Sequence, residues 1–206
     1  MSVHLFTKDI LFYQRLLASM GFYSDKIDGE WGPNTDNADK IFQDESRKLR
    51  DKFGELDNRT EVNITTLHIK AQFLARRFLS DLASVGFGRS VKIISGTRTY
   101  EEQNKLYAKG RFGNIGPKVT NARGGYSNHN FGIAWDIGIF DGGKYLDGDS
   151  QEEIQWYISA AETANLDGLD WGGNWTTFKD RPHYEVKTGL TTEQKKNKFE
   201  DGTLSF

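Results

Sequence analysis

Two histidines and one aspartate in the second half of the chain have the side chains needed to hold a metal ion. His129 and Asp136 lie seven residues apart, and His183 follows later, three residues after Asp180, in a chain with four histidines. Two imidazoles and a carboxylate can supply three ligands of a hydrolytic zinc centre, which keeps its fourth position for water. The sequence therefore predicts a zinc centre with a spare carboxylate, that of Asp180, beside it.

Two further side chains would complete the chemistry of such a centre. Zinc-activated water attacks a peptide carbonyl well only if a nearby carboxylate takes its proton and passes it to the leaving amine. Asp180 is the candidate, with Asp170 and Glu185 as alternatives. The negative charge that develops on the carbonyl oxygen calls for a fixed cation, and Arg98 is the candidate. Taken alone, one arginine among 27 basic residues is better explained by a surface salt bridge.

These residues by themselves do not decide whether the chain has a metal site. A histidine and an aspartate at this spacing are common, and neither His-Glu-x-x-His nor another general zinc-peptidase signature occurs. Cysteine is absent, which excludes disulfides and thiolate metal sites. His68 stands alone on a predicted helix, and we interpret it as a surface or packing residue.

The composition disfavours several classes of partner. A net charge of -2 and a pI of about 6.1 provide no basic face for nucleic acid or for an anionic membrane. No segment approaches the roughly 18 apolar residues of a membrane span, so we expect no membrane insertion. The first nine residues lack the basic and apolar parts of a secretory signal. We therefore expect the chain to be made and folded in a cytoplasm.

The elements that must position these residues follow from the spacing of apolar side chains. Three- and four-residue spacing predicts amphipathic helices over 8–20, 63–82 and 151–164, and further helices that include residues 38–42 and 103–107. β-branched and alternating runs predict strands over 91–94, 132–138 and 183–186. The last twenty residues are expected to form a capping strand or a mobile tail. This order predicts an α+β fold with a small, mainly antiparallel sheet flanked by helices.

The strand predicted over 132–138 gives Asp136 a roomy face. The other residues on that face are glycine or alanine, which leaves space for an ion and a substrate. His129 would have the wrong parity for this face. We therefore expect a turn at residues 130–131 that brings His129 back towards Asp136.

The beginning of the chain resembles a known small domain. The stretch Asp-Gly-Glu-Trp-Gly-Pro-Asn-Thr over 28–35, between two predicted helices, resembles the three-helix peptidoglycan-binding domain found on cell-wall hydrolases. The resemblance implies a peptidoglycan-binding-like domain over 1–57 and a catalytic domain over 58–206. It makes Trp31 and Asp28 candidates for wall binding, although Trp31 could equally well join two helices of a small core.

A second resemblance covers about residues 60–186. Ser-x-His-x-x-Gly-x-Ala-x-Asp over 127–136, Asp-x-x-His over 180–183, Ser-Gly-Thr-Arg-Thr over 95–99 and Trp-Gly-Gly-x-Trp over 171–175 resemble the zinc peptidases of the D-alanyl-D-alanine carboxypeptidase and dipeptidase group. The most similar branch is the phage endolysins that act as L-alanyl-D-glutamate peptidases.

The resemblance implies a role for each matching residue. It implies zinc as the cofactor, with His129, Asp136 and His183 as its ligands. Asp180 becomes the acid/base and Arg98 the stabiliser of the developing oxyanion. The residues implied to line the cleft are Ser127, Gln103 and Trp171.

The expected function is therefore that of a zinc-dependent phage endolysin. It would act as a monomer on bacterial peptidoglycan, cutting the L-alanyl-D-glutamate bond of stem peptides during host lysis after storage in the host cytoplasm. The alternatives are a D,D-carboxypeptidase that removes terminal D-alanine and a non-catalytic wall-binding protein. Some relatives are regulated by calcium, for which the acidic run Asp141–Asp149 is a candidate, with a solvated turn as the simpler interpretation.

Overall fold

The structure, a computed structural model, describes residues 9–206. The first eight residues, on which most of the prediction of no secretory signal rests, lie outside the described residues. The helices are α1 Ile10–Ser19, α2 Pro33–Phe53, α3 Asn58–Ile64, α4 Ile69–Ser84, α5 Tyr100–Ala108, α6 Gln151–Thr163 and α7 Thr192–Glu200. The strands are β1 Ser90–Ser95, β2 Ala134–Asp141, β3 Lys144–Leu146, β4 Leu169–Trp171 and β5 His183–Val186. None of these helices combines the length and the apolar character needed to cross a membrane.

One buried glutamine shapes the loop between α1 and α2. The Oε1 atom of Gln14 accepts hydrogen bonds from the backbone N–H groups of Asp28 and Gly29 at 3.0 and 2.8 Å. Its Nε2 atom donates to the carbonyl of Glu30 at 3.0 Å. Pro33 then begins α2, where its fixed φ suits the first helical turn. The helix, loop and helix predicted for this segment are therefore present.

One of two compact units comprises the described residues up to Asp44 together with Thr97–Ile133 and Gly189–Phe206. Phe199 of α7 is fully buried in it. Its ring centroid lies 5.3 Å from that of Phe12 on α1 and 5.5 Å from that of Phe131. α1 and α7 thus share an aromatic core.

The helix α7 corrects the expectation for the end of the chain. A strand or mobile tail was predicted there, but Thr191 and Gln194 form a reciprocal capping box that begins a helix. The buried ring of Phe199 anchors this helix to α1. The prediction was wrong because the sequence of α7 is mostly polar, with Phe199 as the one apolar residue of the helix.

The other unit comprises Glu45–Gly96 and Ala134–Thr188 and contains the whole sheet. The strand order is β1-β2-β5-β4, β3 pairs with β2, and every pairing is antiparallel. The predicted α+β class with a small antiparallel sheet is confirmed. The acidic run from Asp141 includes the β2–β3 hairpin. The division into domains at residue 57 stays a prediction.

The prediction of a single helix over 63–82 was wrong, because two helices occupy this part of the chain. α3 ends at Ile64 and α4 begins at Ile69, capped by His68, whose Nδ1 accepts the backbone N–H of Lys70 at 3.1 Å. His68 is buried, as a packing role requires. The two helices are tied by Arg76, which makes two hydrogen bonds to the carboxylate of Glu61 at 2.9 and 2.7 Å.

Candidate metal centre

His129 lies on a short 3-10 turn over Asn128–Phe131. Its side chain is buried, and its backbone carbonyl accepts a hydrogen bond from the N–H of Arg98 at 3.1 Å. The turn ends at Gly132, whose φ of 69° is a left-handed conformation that glycine adopts without steric cost. The turn predicted at residues 130–131 is therefore present.

Asn130 and Phe131 fix this turn from inside the unit. The Asn130 Oδ1 atom accepts the N–H of Gly125 at 2.9 Å, and its Nδ2 atom donates to the carbonyl of Arg98 at 2.8 Å. Phe131 is fully buried and packs against Phe199. Because the residues on one side of His129 are held by tertiary contacts, the backbone that carries its imidazole has little freedom.

Asp136 and His183 are direct neighbours across the sheet. They are paired in register between β2 and β5, so their side chains leave the same face. The Nδ1 atom of His183 lies 3.1 Å from Oδ1 of Asp136. On its other side Asp136 pairs with Ser95, beyond a register shift in β1 that follows Ile93.

Asp180 precedes His183 on a tight turn. The N–H of His183 donates to the carbonyl of Asp180 at 3.2 Å, and the N–H of Asp180 donates to the carbonyl of Gly172 at 3.1 Å. The indole Nε1 of Trp171 donates to the carbonyl of Arg181 at 2.7 Å. These bonds fix the backbone that carries the predicted acid/base and the third predicted ligand.

Gly172 is required where this turn packs closely. A Cβ atom built at Gly172 would lie 2.5 Å from the carbonyl oxygen of Asp180 and 3.1 Å from Cβ of His183. A backbone oxygen cannot yield as a flexible side chain can, so any larger residue would displace the turn. The first glycine of the Trp-Gly-Gly-x-Trp motif is thus explained by packing.

The three predicted metal ligands offer one donor atom each, and these atoms all lie within 4.8 Å of one another. His129 and His183 are buried, and Asp136 is partly buried. Two ring nitrogens and a carboxylate oxygen form a donor set that suits zinc and leaves a coordination position for water. The residues present therefore fit a catalytic zinc ion.

The charge around His183 favours a bound cation. The Nε2 atom of His183 lies 3.0 Å from Oε2 of Glu185, so carboxylates face both ring nitrogens. Burial works against the charged imidazole, but hydrogen bonds and charges from Asp136 and Glu185 outweigh it and raise the pKa of His183 to about 9. Two carboxylates this close attract a positive charge, whether a proton or a metal ion.

Arg98, Gln103 and Ser127 belong to the unit that carries His129. The Arg98 guanidinium donates to Oε1 of Gln103 at 3.4 Å. Gln103 is fully buried, and its Nε2 atom donates to the carbonyl of Ala122 at 2.8 Å, which supports the loop before the His129 turn. Ser127 is half-buried. The substrate-lining roles predicted for Gln103 and Ser127 stay predictions.

The other predicted binding residues have structural contacts of their own. Trp171 packs nearly parallel to Tyr184, with 6.5 Å between ring centroids. Asp28 accepts hydrogen bonds from Gln14 and from the backbone of its own loop. Trp31 stacks on Tyr13, with 6.0 Å between ring centroids. The roles predicted for Trp171 in substrate binding and for Asp28 and Trp31 in wall binding stay predictions.

The hydrogen bond between Glu185 and His183 was not foreseen from the sequence, where Glu185 is only an alternative base. The signal is present, because residues two apart on a strand project from the same face. Once His183 is placed on a strand, Glu185 is its same-face neighbour. The other alternative base, Asp170, pairs with Lys187, whose Nζ lies 3.5 Å from its carboxylate.

Part of the chain is similar to known proteins. Residues 120–186 match the family described as D-alanyl-D-alanine carboxypeptidase, and the matched segment contains His129, Asp136, Asp180 and His183. Peptidases of this family are zinc-dependent. The chain is also 40% identical over 112 residues to the peptidoglycan L-alanyl-D-glutamate endopeptidase CwlK of Bacillus subtilis (strain 168). The aligned part is 50% of this chain and 65% of that relative, which is less than two thirds of its length.

Among solved structures, the crystal structure of the Serratia marcescens L-Ala D-Glu endopeptidase ChiX is similar to part of this chain. The TM-score is 0.47 and the sequence identity is 22%. The likeness covers 64% of this chain and 89% of that one.

Proposed function

We propose that this protein is a zinc-dependent endopeptidase acting on peptidoglycan. The premise is the match of residues 120–186 to the family described as D-alanyl-D-alanine carboxypeptidase. The observation that carries the proposal is the cluster of three donor atoms from His129, Asp136 and His183. Residues of these types, inside a segment that matches a zinc peptidase family, are suited to metal-assisted hydrolysis of an amide.

The residues of the chain would divide the catalytic work. His129, Asp136 and His183 would hold the zinc ion, which supplies a Lewis acid and lowers the pKa of its water. The Asp180 carboxylate would take the proton of the attacking water and deliver it to the nitrogen of the leaving amine. The Arg98 guanidinium would stabilise the negative charge that builds up on the carbonyl oxygen.

The proposed scissile bond is the L-alanyl-D-glutamate bond of the stem peptide. The support is the 40% identity to a relative whose name states that activity. Digestion of purified peptidoglycan followed by mass spectrometry tests it. A new amino terminus on D-glutamate is the expected product, and intact stem peptides after digestion with zinc-loaded protein would contradict the proposal.

A D,D-carboxypeptidase is the second candidate, because the description of the matching family names that activity. It would release single D-alanine residues and leave the L-alanyl-D-glutamate bond intact. The same mass spectra distinguish the two activities, since one shortens the stem peptide by one residue and the other separates it from its first alanine.

The proposed setting is phage lysis, with the enzyme held in the host cytoplasm until the membrane is opened. The support is the motif resemblance to phage endolysins over 127–136, 171–175 and 180–183. Bacteria that express the protein should keep growing until chloroform permeabilises the membrane and should then lyse. Cells that express His183→Ala should not lyse after the same treatment. Lysis without chloroform would contradict the cytoplasmic storage.

A further inference from the structure

The two ring nitrogens of His183 face different carboxylates. Nδ1 lies 3.1 Å from Oδ1 of Asp136, and Nε2 lies 3.0 Å from Oε2 of Glu185. The side chain of His183 is 8% exposed, and those of Asp136 and Glu185 are each 18% exposed. The imidazole is therefore clamped between two partly buried acids that have different surroundings.

The geometry distinguishes the two nitrogens. Asp136 contributes a donor atom to the proposed zinc site, whereas Glu185 is not one of the three clustered ligands. Two ligands of one tetrahedral zinc ion, each at about 2.0–2.1 Å, lie roughly 3.3 Å apart. The 3.1 Å separation of Nδ1 from Asp136 suits two ligands of the same ion. Nε2, on the other side of the ring, points at Glu185.

We propose that Glu185 is a positioning residue that accepts the Nε2 proton of His183. A neutral imidazole carries one proton, so a carboxylate that accepts it at Nε2 leaves the lone pair at Nδ1 for the metal. The same bond fixes the orientation of the ring and makes Nδ1 a stronger donor. This inference rests on the zinc site of the proposed function.

The sheet holds Glu185 in the position that this role needs. Glu185 and His183 lie two residues apart on β5, which has β2 on one side and β4 on the other. Glu185 pairs with Ala134 on β2 and with Asp170 on β4. Because Glu185 lies on an interior strand, its backbone cannot shift without disturbing two ladders of hydrogen bonds.

The role proposed for Glu185 also separates it from the acid/base. A general base takes up a proton and releases it again during each turnover, so it cannot keep one fixed hydrogen bond. Glu185 instead makes a hydrogen bond that must persist if the ring is to keep its orientation. Asp180 therefore remains the candidate for proton transfer.

The test compares three variants that are loaded with zinc from chelator-buffered solution at one fixed pH. Glu185→Ala should bind zinc about 10- to 100-fold more weakly than the parent protein. Glu185→Gln should recover most of that loss, because its amide oxygen can still accept the Nε2 proton. Asp170→Ala removes a carboxylate from the opposite position on β4 and should change the affinity less than twofold.

Nitrogen NMR of the zinc-loaded protein reports which ring nitrogen of His183 carries a proton and which binds the metal. A variant that was only less stable would not change this assignment. The parent protein and Glu185→Gln should show His183 with a protonated Nε2 and a metal-bound Nδ1, while Glu185→Ala should lose the protected Nε2 proton. Zinc on Nε2, or a Glu185→Ala affinity within twofold of the parent, would overturn the inference. Failure of the parent protein to bind one zinc ion would instead overturn the proposed function.

Discussion

The proposed zinc ligands are held in two different ways. Asp136 and His183 are cross-strand partners, so the register of the sheet sets their separation. His129 lies on a 3-10 turn that is held by the side-chain amide of Asn130 and the buried ring of Phe131. The position of a ligand on the sheet therefore depends on many backbone hydrogen bonds, whereas that of the ligand on the turn depends on a few side chains.

Removal of either kind of histidine should have the largest effect. His129→Ala and His183→Ala should both reduce peptidoglycan cleavage to background and zinc content from one ion to none, because each removes a ligand. Elemental analysis and a turbidity assay on purified cell walls measure these results. Full cleavage by either variant would remove the metal hypothesis.

The same two variants should differ in the metal-free protein. His183→Ala leaves the carboxylates of Asp136 and Glu185 without the imidazole that lies between them, so the free energy of unfolding should fall. His129→Ala keeps that imidazole in place. Urea unfolding in the presence of a chelator measures the difference, and a larger loss for His129→Ala would reverse the comparison.

Asp180→Asn should lower kcat by about 10²- to 10⁴-fold, the range expected for loss of a general acid/base. The amide keeps the size of the side chain, and the backbone bonds of the turn remain. Zinc content should therefore stay at one ion per chain. The matched control is Asp170→Asn, which changes a carboxylate on β4 and should retain cleavage. Wild-type kcat in Asp180→Asn would exclude Asp180 as the base.

Asn130→Ala should weaken the turn but leave the sheet intact. It removes a buried hydrogen bond to Gly125 and a partly buried one to Arg98, and unsatisfied buried partners cost about 1–3 kcal/mol. Zinc affinity should fall, because His129 loses its support. Asn197→Ala, at an exposed position of α7, is the control. Unchanged zinc affinity in Asn130→Ala would show that the turn is held by other contacts.

The stability of the metal-free protein should depend on pH through His183. Its pKa is raised to about 9 in the folded state from an ordinary value of 6.5. The stabilisation is therefore fully present below pH 6.5 and is lost as the pH rises through 9. Thermal unfolding with a chelator should show Tm falling over this range, and His183→Gln should flatten the curve. A Tm that rises over the same range would contradict the arrangement.

The sequence predicted the sheet-borne part of the site better than its surroundings. The alternation of large and small residues around Asp136 predicted its strand. The position of His129, an odd number of residues from Asp136, predicted the turn. Short or interrupted elements were not recoverable, because β3 and β4 are three residues each. The break at His68 between two helices could not be predicted from the sequence, because the helical spacing of apolar residues continues across it. The cap of α4 and the pairing of β3 and β4 depend on tertiary contacts, which the spacing of apolar residues along the sequence does not show.

The aromatic core shared by α1, α7 and the His129 turn has a consequence for engineering. Phe199 contacts Phe12 near one end of the chain and Phe131 beside a proposed zinc ligand. Shortening the protein to its family-matched segment, or exchanging its amino-terminal part for that of another protein, would take away supports of the segment that carries His129. A minimal or chimeric version should therefore retain both ends of the chain, or replace their rings with others of similar bulk.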